Sequence, residues 1–176
     1  MDVEKLVFLD ESAVNTAMVR GRGRCPRGER LVAPAPAGLW QTSTLVAAVG
    51  LDGVVAPMVI DGPLNGASFA QYVERSLVPA LEPGTIIVMD NLPVHKSARV
   101  ADAIAAAGCT LVFLPPYSPD YNPIELVWSK VKTLLRAAAA RTFEAVVDAA
   151  GIALRAITPA DCDGYFRHCG YDALAS

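Results

Sequence analysis

Cysteine is scarce in this sequence, and its pattern excludes a simple metal-binding motif. The four cysteines, Cys25, Cys109, Cys162 and Cys169, form no CxxC pair. Cys162, His168 and Cys169 lie close together in the chain, but their spacing does not match a known zinc motif. We therefore expect free thiols in a reducing compartment.

The sequence also lacks a long apolar run and an excess of positive charge. No stretch reaches the roughly 18 apolar residues needed to span a bilayer, and the N-terminus has no signal-peptide layout. We therefore expect a soluble cytoplasmic protein without a membrane partner. The formal net charge is −3, so any affinity for nucleic acid must come from local clusters of basic residues.

The chain does contain enough apolar residues for a substantial core. Its 176 residues are 53% hydrophobic and 19% charged, which favours one globular domain over residues 1–176. Apolar runs predict strands at 5–10, 42–50, 54–61, 85–90 and 110–115. Helical periodicity predicts helices at 67–81, 97–108, 123–140, 143–157 and about 159–168. This order predicts an α/β fold, with a three-strand antiparallel meander continued by further strands in one mixed sheet flanked by helices.

Three carboxylates stand out by their positions in this pattern. Asp10 and Asp90 each close an apolar run, and Glu125 follows the last strand, in the first turn of a helix. Because strand ends and the loops beyond them converge on one crevice, we expect the three acids to lie close together. Their repulsion would be relieved by a hard divalent cation, which prefers carboxylate oxygens. The pattern therefore favours metal-dependent phosphodiester chemistry.

Glu125 also has a purely structural interpretation. Asn122 is a good N-cap residue and Pro123 suits the first helical position, which puts Glu125 at the third. The two side chains would then form a capping box.

An arginine-rich segment follows the first strand. Residues 19–30, VRGRGRCPRGER, interleave arginines with glycines and a proline; we call this segment the arginine arm. Such a sequence is typical of a loop or hairpin. It is either a solvated basic loop or an arm that contacts phosphates through Arg20, Arg22, Arg24 and Arg27.

Three sequence blocks resemble the catalytic domain of DDE transposases, in the bacterial insertion-sequence branch related to mariner-like elements. The blocks are FLDES at 8–12, MDNLPVHKS at 89–97 and LPPYSPDYNPIELVWSKVK at 114–132, with 34 residues between Asp90 and Glu125. The resemblance implies a ribonuclease H-like fold, with Asp10, Asp90 and Glu125 as catalytic residues that bind Mg²⁺ or Mn²⁺, as two ions.

The resemblance also implies a reaction and its partners. A DDE transposase cuts DNA at the transposon ends, and the freed 3′-hydroxyl then attacks target DNA, generally at a TA dinucleotide. Two ends must be held together, which implies a dimer, and the bacterial setting implies association with the nucleoid. Family members carry a helix-turn-helix region ahead of the catalytic domain. Only nine residues precede Asp10, so we expect that region to be absent here or separately encoded.

Further residues near the motifs are candidates for supporting roles. Asn91 and His95 follow Asp90 and could orient the metal site or a phosphate; otherwise they are a turn former and a surface loop residue. Lys132 lies nearly two turns after Glu125 on the same helical face, from which it could reach DNA phosphate. Lys130 points away and is expected to be solvated, whereas Trp128 is expected in the core. Tyr117 and Tyr121 either shape the crevice wall or simply pack the turn.

Two other functions are compatible with these residues. A nuclease of the same fold would act on an RNA–DNA hybrid or a branched junction. A truncated or repurposed domain would bind DNA or a partner protein without catalysis.

Overall fold

The computed structural model describes residues 2–92 and 95–171. One five-stranded sheet forms its centre, with strand order β3-β2-β1-β4-β5. The strands are β1 Leu6–Asn15, β2 Thr42–Gly50, β3 Gly53–Asp61, β4 Ile86–Met89 and β5 Thr110–Phe113. The pairs β1–β2 and β2–β3 are antiparallel, while β1–β4 and β4–β5 are parallel. This confirms the mixed sheet that the sequence predicts.

Among the described residues, five α-helices cover the two faces of the sheet. They are α1 Gly66–Tyr72, α2 Ala98–Ala106, α3 Pro123–Ala138, α4 Phe143–Arg155 and α5 Pro159–His168. Side chains alternate along each strand, so one half of β1 packs on α3, α4 and α5 and the other half on α1 and α2. Phe8 belongs to the first core and Leu9 to the second, and both are fully buried. We call these surfaces the α3 face and the α1 face.

Some helix ends differ from those that the sequence predicts. After Tyr72 the chain continues as one π-helical turn, Val73–Leu77, and then as a 3-10 turn, Val78–Ala80. Pro79 lies in that last turn, where its missing N–H prevents a regular helix from continuing. Helix α3 ends at Ala138, because Ala139 adopts the left-handed conformation with φ 52°.

Residues 16–41, all of them described, form a long connection between β1 and β2 without helix or strand. Its two ends are held together by Thr16 and Gln41, which exchange hydrogen bonds of 3.1 Å. Arg141 Nη1 also donates to the carbonyls of Thr16 and Met18, each at 2.9 Å. These hydrogen bonds fix both ends of the connection where it leaves the sheet.

No helix among the described residues is long and apolar enough to cross a membrane.

Candidate active site

Strands β1 and β4 bring Asp10 and Asp90 next to each other. Their parallel pairing runs from Leu6 opposite Ile86 to Leu9 opposite Met89, so Asp10 is the next residue of β1 and Asp90 is the first residue after β4. Adjacent strands are about 4.8 Å apart. By alternation, both aspartates follow Phe8 and Val88 onto the α3 face of the sheet.

Asp10 is not at the end of its strand, contrary to the prediction from the sequence. Strand β1 continues to Asn15 because its antiparallel partner β2 runs alongside it, with Asp10 opposite Ala47 and Asn15 opposite Thr42. What ends at Leu9 is the pairing with β4. Asp10 is thus held in the sheet by β2 on one side, while the side towards β4 is unpaired.

A crevice of about 500 Å³ opens at this point, and all three carboxylates line it. Asp10 and Asp90 enter from the sheet, and Glu125 enters from the first turn of α3. The segment between β5 and α3 supplies most of the opposite wall, including the exposed Tyr117. Tyr121 does not line the crevice; its carbonyl accepts a hydrogen bond from the Tyr171 hydroxyl at 2.8 Å.

Asp10 is the most buried of the three acids, with 7% of its surface exposed. Burial raises the pKa of its carboxyl to about 7, although the backbone N–H of Glu11 opposes this by donating to Oδ1 at 2.7 Å. The negative charges of Glu11, Glu125 and Asp90 raise the pKa further. The three acids therefore repel one another, as expected of groups that share a divalent cation.

The capping-box interpretation of Asn122 and Glu125 is wrong. Asn122 occupies the N-cap position of α3, but its side chain makes no capping bond to the described backbone. Instead Nδ2 donates to Asp10 Oδ2 at 3.2 Å, and Oδ1 is buried without a partner among the described residues. The Glu125 side chain is exposed in the crevice. The start of α3 is therefore attached to Asp10, and Glu125 is free to bind a ligand.

His95 is fully buried, which excludes the interpretation as a surface loop residue. Its Nδ1 lies 2.5 Å from Asp90 Oδ1, and its Nε2 lies 2.9 Å from Glu11 Oε2. Burial alone would lower the pKa of His95, but the hydrogen bond and charge of Glu11, together with Asp90, raise it overall. Glu11 was not singled out in the sequence, because alternation along β1 points it away from Asp10.

Other residues of the second block are also near Asp90. Asn91 lines the crevice, as does Lys96, which the sequence analysis did not single out. The N–H of Leu92 donates to Asp90 Oδ1 at 3.1 Å. Pro93 and Val94, in the same block, lie outside the described residues.

The predicted DNA-binding residues do not line the crevice. Arg20, Arg22, Arg24 and Arg27 are exposed on the β1–β2 connection. Lys132 is half-buried on α3. Lys130 is not simply solvated, since its Nζ pairs with Asp161 Oδ2 on α5 at 2.7 Å. Trp128 lies in the core as predicted, with 2% exposed.

The chemistry of the donor set fits a divalent metal ion, although the acids are not gathered tightly. Three carboxylates face one crevice, and hard cations such as Mg²⁺ prefer such oxygens. Within residues 2–92 and 95–171, no group of three or more His, Cys, Asp or Glu side chains is close enough to hold an ion at once. Asp10, Asp90 and Glu125 thus line one crevice without forming a three-ligand cluster among the described residues.

Comparisons with known proteins agree with this geometry. Residues 5–147 match the protein family described as DDE superfamily endonuclease. No curated protein is similar enough in sequence to count as a relative.

Several solved structures share the fold. The Mos1 transposase paired-end complex with the left transposon end is 19% identical with a TM-score of 0.72, and covers 97% of this chain and 53% of its own. The mariner Mos1 paired-end complex with Mg is 18% identical with a TM-score of 0.69. The match covers 96% of this chain and 52% of the Mos1 chain. The catalytic domain of Mos1 mariner transposase is 17% identical with a TM-score of 0.64, covering 96% and 76%. The chain thus spans about half the length of the transposases in the two complexes and has their ribonuclease H-like fold.

Proposed function

Because the chain belongs to the DDE superfamily of endonucleases, we propose that it cuts DNA at transposon ends and joins the cut end to target DNA. The observation that carries this proposal is the crevice lined by Asp10, Asp90 and Glu125. The Mos1 structures that share the fold include complexes with a transposon end and with Mg or Mn, which supports DNA as substrate and a divalent cation as cofactor.

In this proposal the three carboxylates hold Mg²⁺ or Mn²⁺, as two ions. When bound, divalent cations activate the attacking oxygen and stabilise charge on the leaving oxygen. Asp10 supplies a ligand from β1, Asp90 supplies one from the end of β4, and Glu125 supplies a more exposed ligand from the start of α3. Asn122 holds the Asp10 carboxylate in place and keeps α3 against β1. Asn91 and Lys96 line the crevice, where they are available to a DNA phosphate.

The partners are part of the same proposal. Joining two transposon ends requires two catalytic sites, so the active species is a dimer. Target choice at a TA dinucleotide and recognition of the ends through a helix-turn-helix part are expected from the family resemblance. The Mos1 chains in the DNA complexes are about twice as long as this one, which is compatible with a separate DNA-recognising part.

Metal-dependent nicking of DNA tests the proposal directly. The parent protein is expected to nick supercoiled DNA with Mn²⁺ or Mg²⁺ and to lose this activity in EDTA. Asp90→Asn should lower the rate more than about 100-fold, since removing a metal ligand costs more than removing an outer partner. Asp102→Asn is the matched control, because Asp102 is an exposed aspartate on α2 outside the crevice.

The substrate panel should contain linear duplex, branched DNA and an RNA–DNA hybrid. Preference for the hybrid or the branch would identify a different nuclease. An Asp90→Asn protein that cuts as fast as its parent would show that the assignment of the carboxylates is wrong.

A further inference from the structure

We propose that Glu11 is a positioning residue of this site, acting through His95 to fix the carboxylate of Asp90. The inference rests on the proposed function, since it assigns Asp90 to a metal ion.

Glu11 and Asp10 are neighbours in β1, so their side chains leave the sheet on opposite faces. Asp10 is on the α3 face with the crevice, and Glu11 is on the α1 face. The Glu11 side chain therefore cannot reach the crevice through the sheet, and it is absent from the crevice lining.

His95 provides the connection between Glu11 and the site. After β4 the chain returns to the α1 face, where the His95 ring is fully buried with its centroid 4.7 Å from that of Phe69 on α1. His95 Nε2 lies 2.9 Å from Glu11 Oε2, and His95 Nδ1 lies 2.5 Å from Asp90 Oδ1. A buried ring held by a carboxylate on each side has little freedom to rotate.

The consequence is a fixed orientation for Asp90. Its Oδ1 accepts from the N–H of Leu92 at 3.1 Å and lies 2.5 Å from His95 Nδ1. The other oxygen, Oδ2, is thereby left as the atom that can face a ligand in the crevice. Outer partners that hold a metal ligand in its orientation are worth about 10–100-fold in metal affinity or activity.

The side chain of Glu11 can be changed without removing the contact that its backbone makes. The Glu11 N–H holds Asp10 Oδ1 at 2.7 Å, and any residue but proline retains that bond. Glu11→Gln keeps the size and an acceptor oxygen for His95, whereas Glu11→Ala removes the partner. Glu74→Gln is the matched control, because Glu74 is half-buried, outside the crevice, and paired with the exposed Arg99.

Mn²⁺ binding by calorimetry is the first measurement, with Asp90→Asn as the reference for a lost ligand. We expect Glu11→Ala to bind Mn²⁺ about 10–100-fold more weakly than the parent, and Glu11→Gln to lie between them. Glu74→Gln should bind as the parent does. Under saturating metal, DNA cleavage by Glu11→Gln should show a lower kcat at an unchanged KM for DNA, because Glu11 does not line the crevice.

The second measurement follows the NMR signals of the His95 ring in the metal-free protein. The chain has two histidines, His95 and the exposed His168, so ¹⁵N-histidine labelling gives two ring systems, one of them an internal reference. In the parent, the ring N–H that faces Glu11 should exchange slowly with water. In Glu11→Ala that signal should shift and exchange faster, while the His168 signals stay in place.

The outcomes separate this inference from the proposed function. If the parent neither binds Mn²⁺ nor cuts DNA, the proposed function is overturned and the positioning role with it. If the parent binds Mn²⁺ and cuts DNA but Glu11→Ala and Glu11→Gln match it, only the role of Glu11 is overturned. Equal loss of Mn²⁺ affinity in Glu74→Gln would also overturn it, since the effect would then not depend on the site.

Discussion

At the scale of single residues, Asp10 links the stability of the fold to its chemistry. Its carboxyl keeps a proton up to a pKa of about 7 in the folded chain, against an ordinary value of 3.8. The folded state thus binds more protons than the unfolded state between these values, and stability falls as pH rises through that range. The difference corresponds to about 4 kcal/mol once the carboxyl is ionised.

Asp10→Asn should therefore stabilise the metal-free protein and abolish its cleavage of DNA. We expect the free energy of unfolding to rise by about 2–4 kcal/mol at pH 8 and to change little at about pH 3, where the carboxyl is largely protonated in both states. The unpaired Oδ1 of Asn122 is available to accept from the new amide after a flip. Urea unfolding at both pH values measures the effect. Equal stability of parent and variant at pH 8 would contradict it.

At the scale of elements, one ion pair joins α3 to α5. The hydrogen bond from Lys130 on α3 lowers the pKa of Asp161, and hydrogen bonds from Thr158 act in the same direction, so that the pKa is about 2. The side chain of Thr158 also caps α5. A lowered pKa means that the ionised carboxylate stabilises the fold above its ordinary value of 3.8 and stops doing so as pH falls towards 2. Asp161→Asn should thus lower the melting temperature at pH 7, with the difference from the parent disappearing near pH 2. Asp163→Asn, on the same helix, is the control, because it removes an acid that forms only an exposed ion pair with Arg167 within α5.

The end of α3 gives a second prediction at this scale. Ala139 adopts φ 52° and ψ 39°, which disfavours any residue with a Cβ. Ala139→Gly should raise the free energy of unfolding by about 1 kcal/mol. Ala138→Gly, one residue earlier and still helical, should lower it by about the same amount. Urea titration measures both changes in the free energy of unfolding. Changes of opposite sign would support the end of α3 at Ala138, and changes of the same sign would contradict it.

The same elements show how far the sequence could predict the structure. Strands β2 and β3 and the turn between them follow from apolar runs and an Asp-Gly pair, which are local signals. Ala139 and Ala140 carry no local signal for a helix end, because both favour helix. Asn122 has the sequence of a capping residue, but Asp10, 112 positions away, competes for its side chain. Glu11 could not be found locally, since its partner His95 follows β4, which only the fold brings alongside β1.

At the scale of the whole molecule, positive charge is concentrated on the arginine arm while the net charge is −3. If the arm contacts DNA phosphates, Arg22→Gln with Arg24→Gln should weaken binding and flatten its dependence on salt. The slope of log K against log salt should fall in magnitude by about 1.8, or 0.9 for each charge. Arg75→Gln with Arg155→Gln removes equal charge from exposed helix positions and should leave the slope unchanged. Fluorescence anisotropy measures the DNA affinity of both variants at several salt concentrations. A change of slope in the arm variant alone would show that the arm contacts the phosphates, and equal slopes would show that only the overall charge matters.

The order of strands in the sheet also determines when the site can exist during synthesis. Strand β1 is paired with β4, so Asp10 meets Asp90 only after 80 further residues have been made, and Glu125 arrives later still. Contacts so distant in sequence form slowly and late in folding. A nascent chain or a fragment cut between β3 and β4 lacks two of the three carboxylates. Unfinished or broken copies that end before β4 therefore cannot assemble the proposed site.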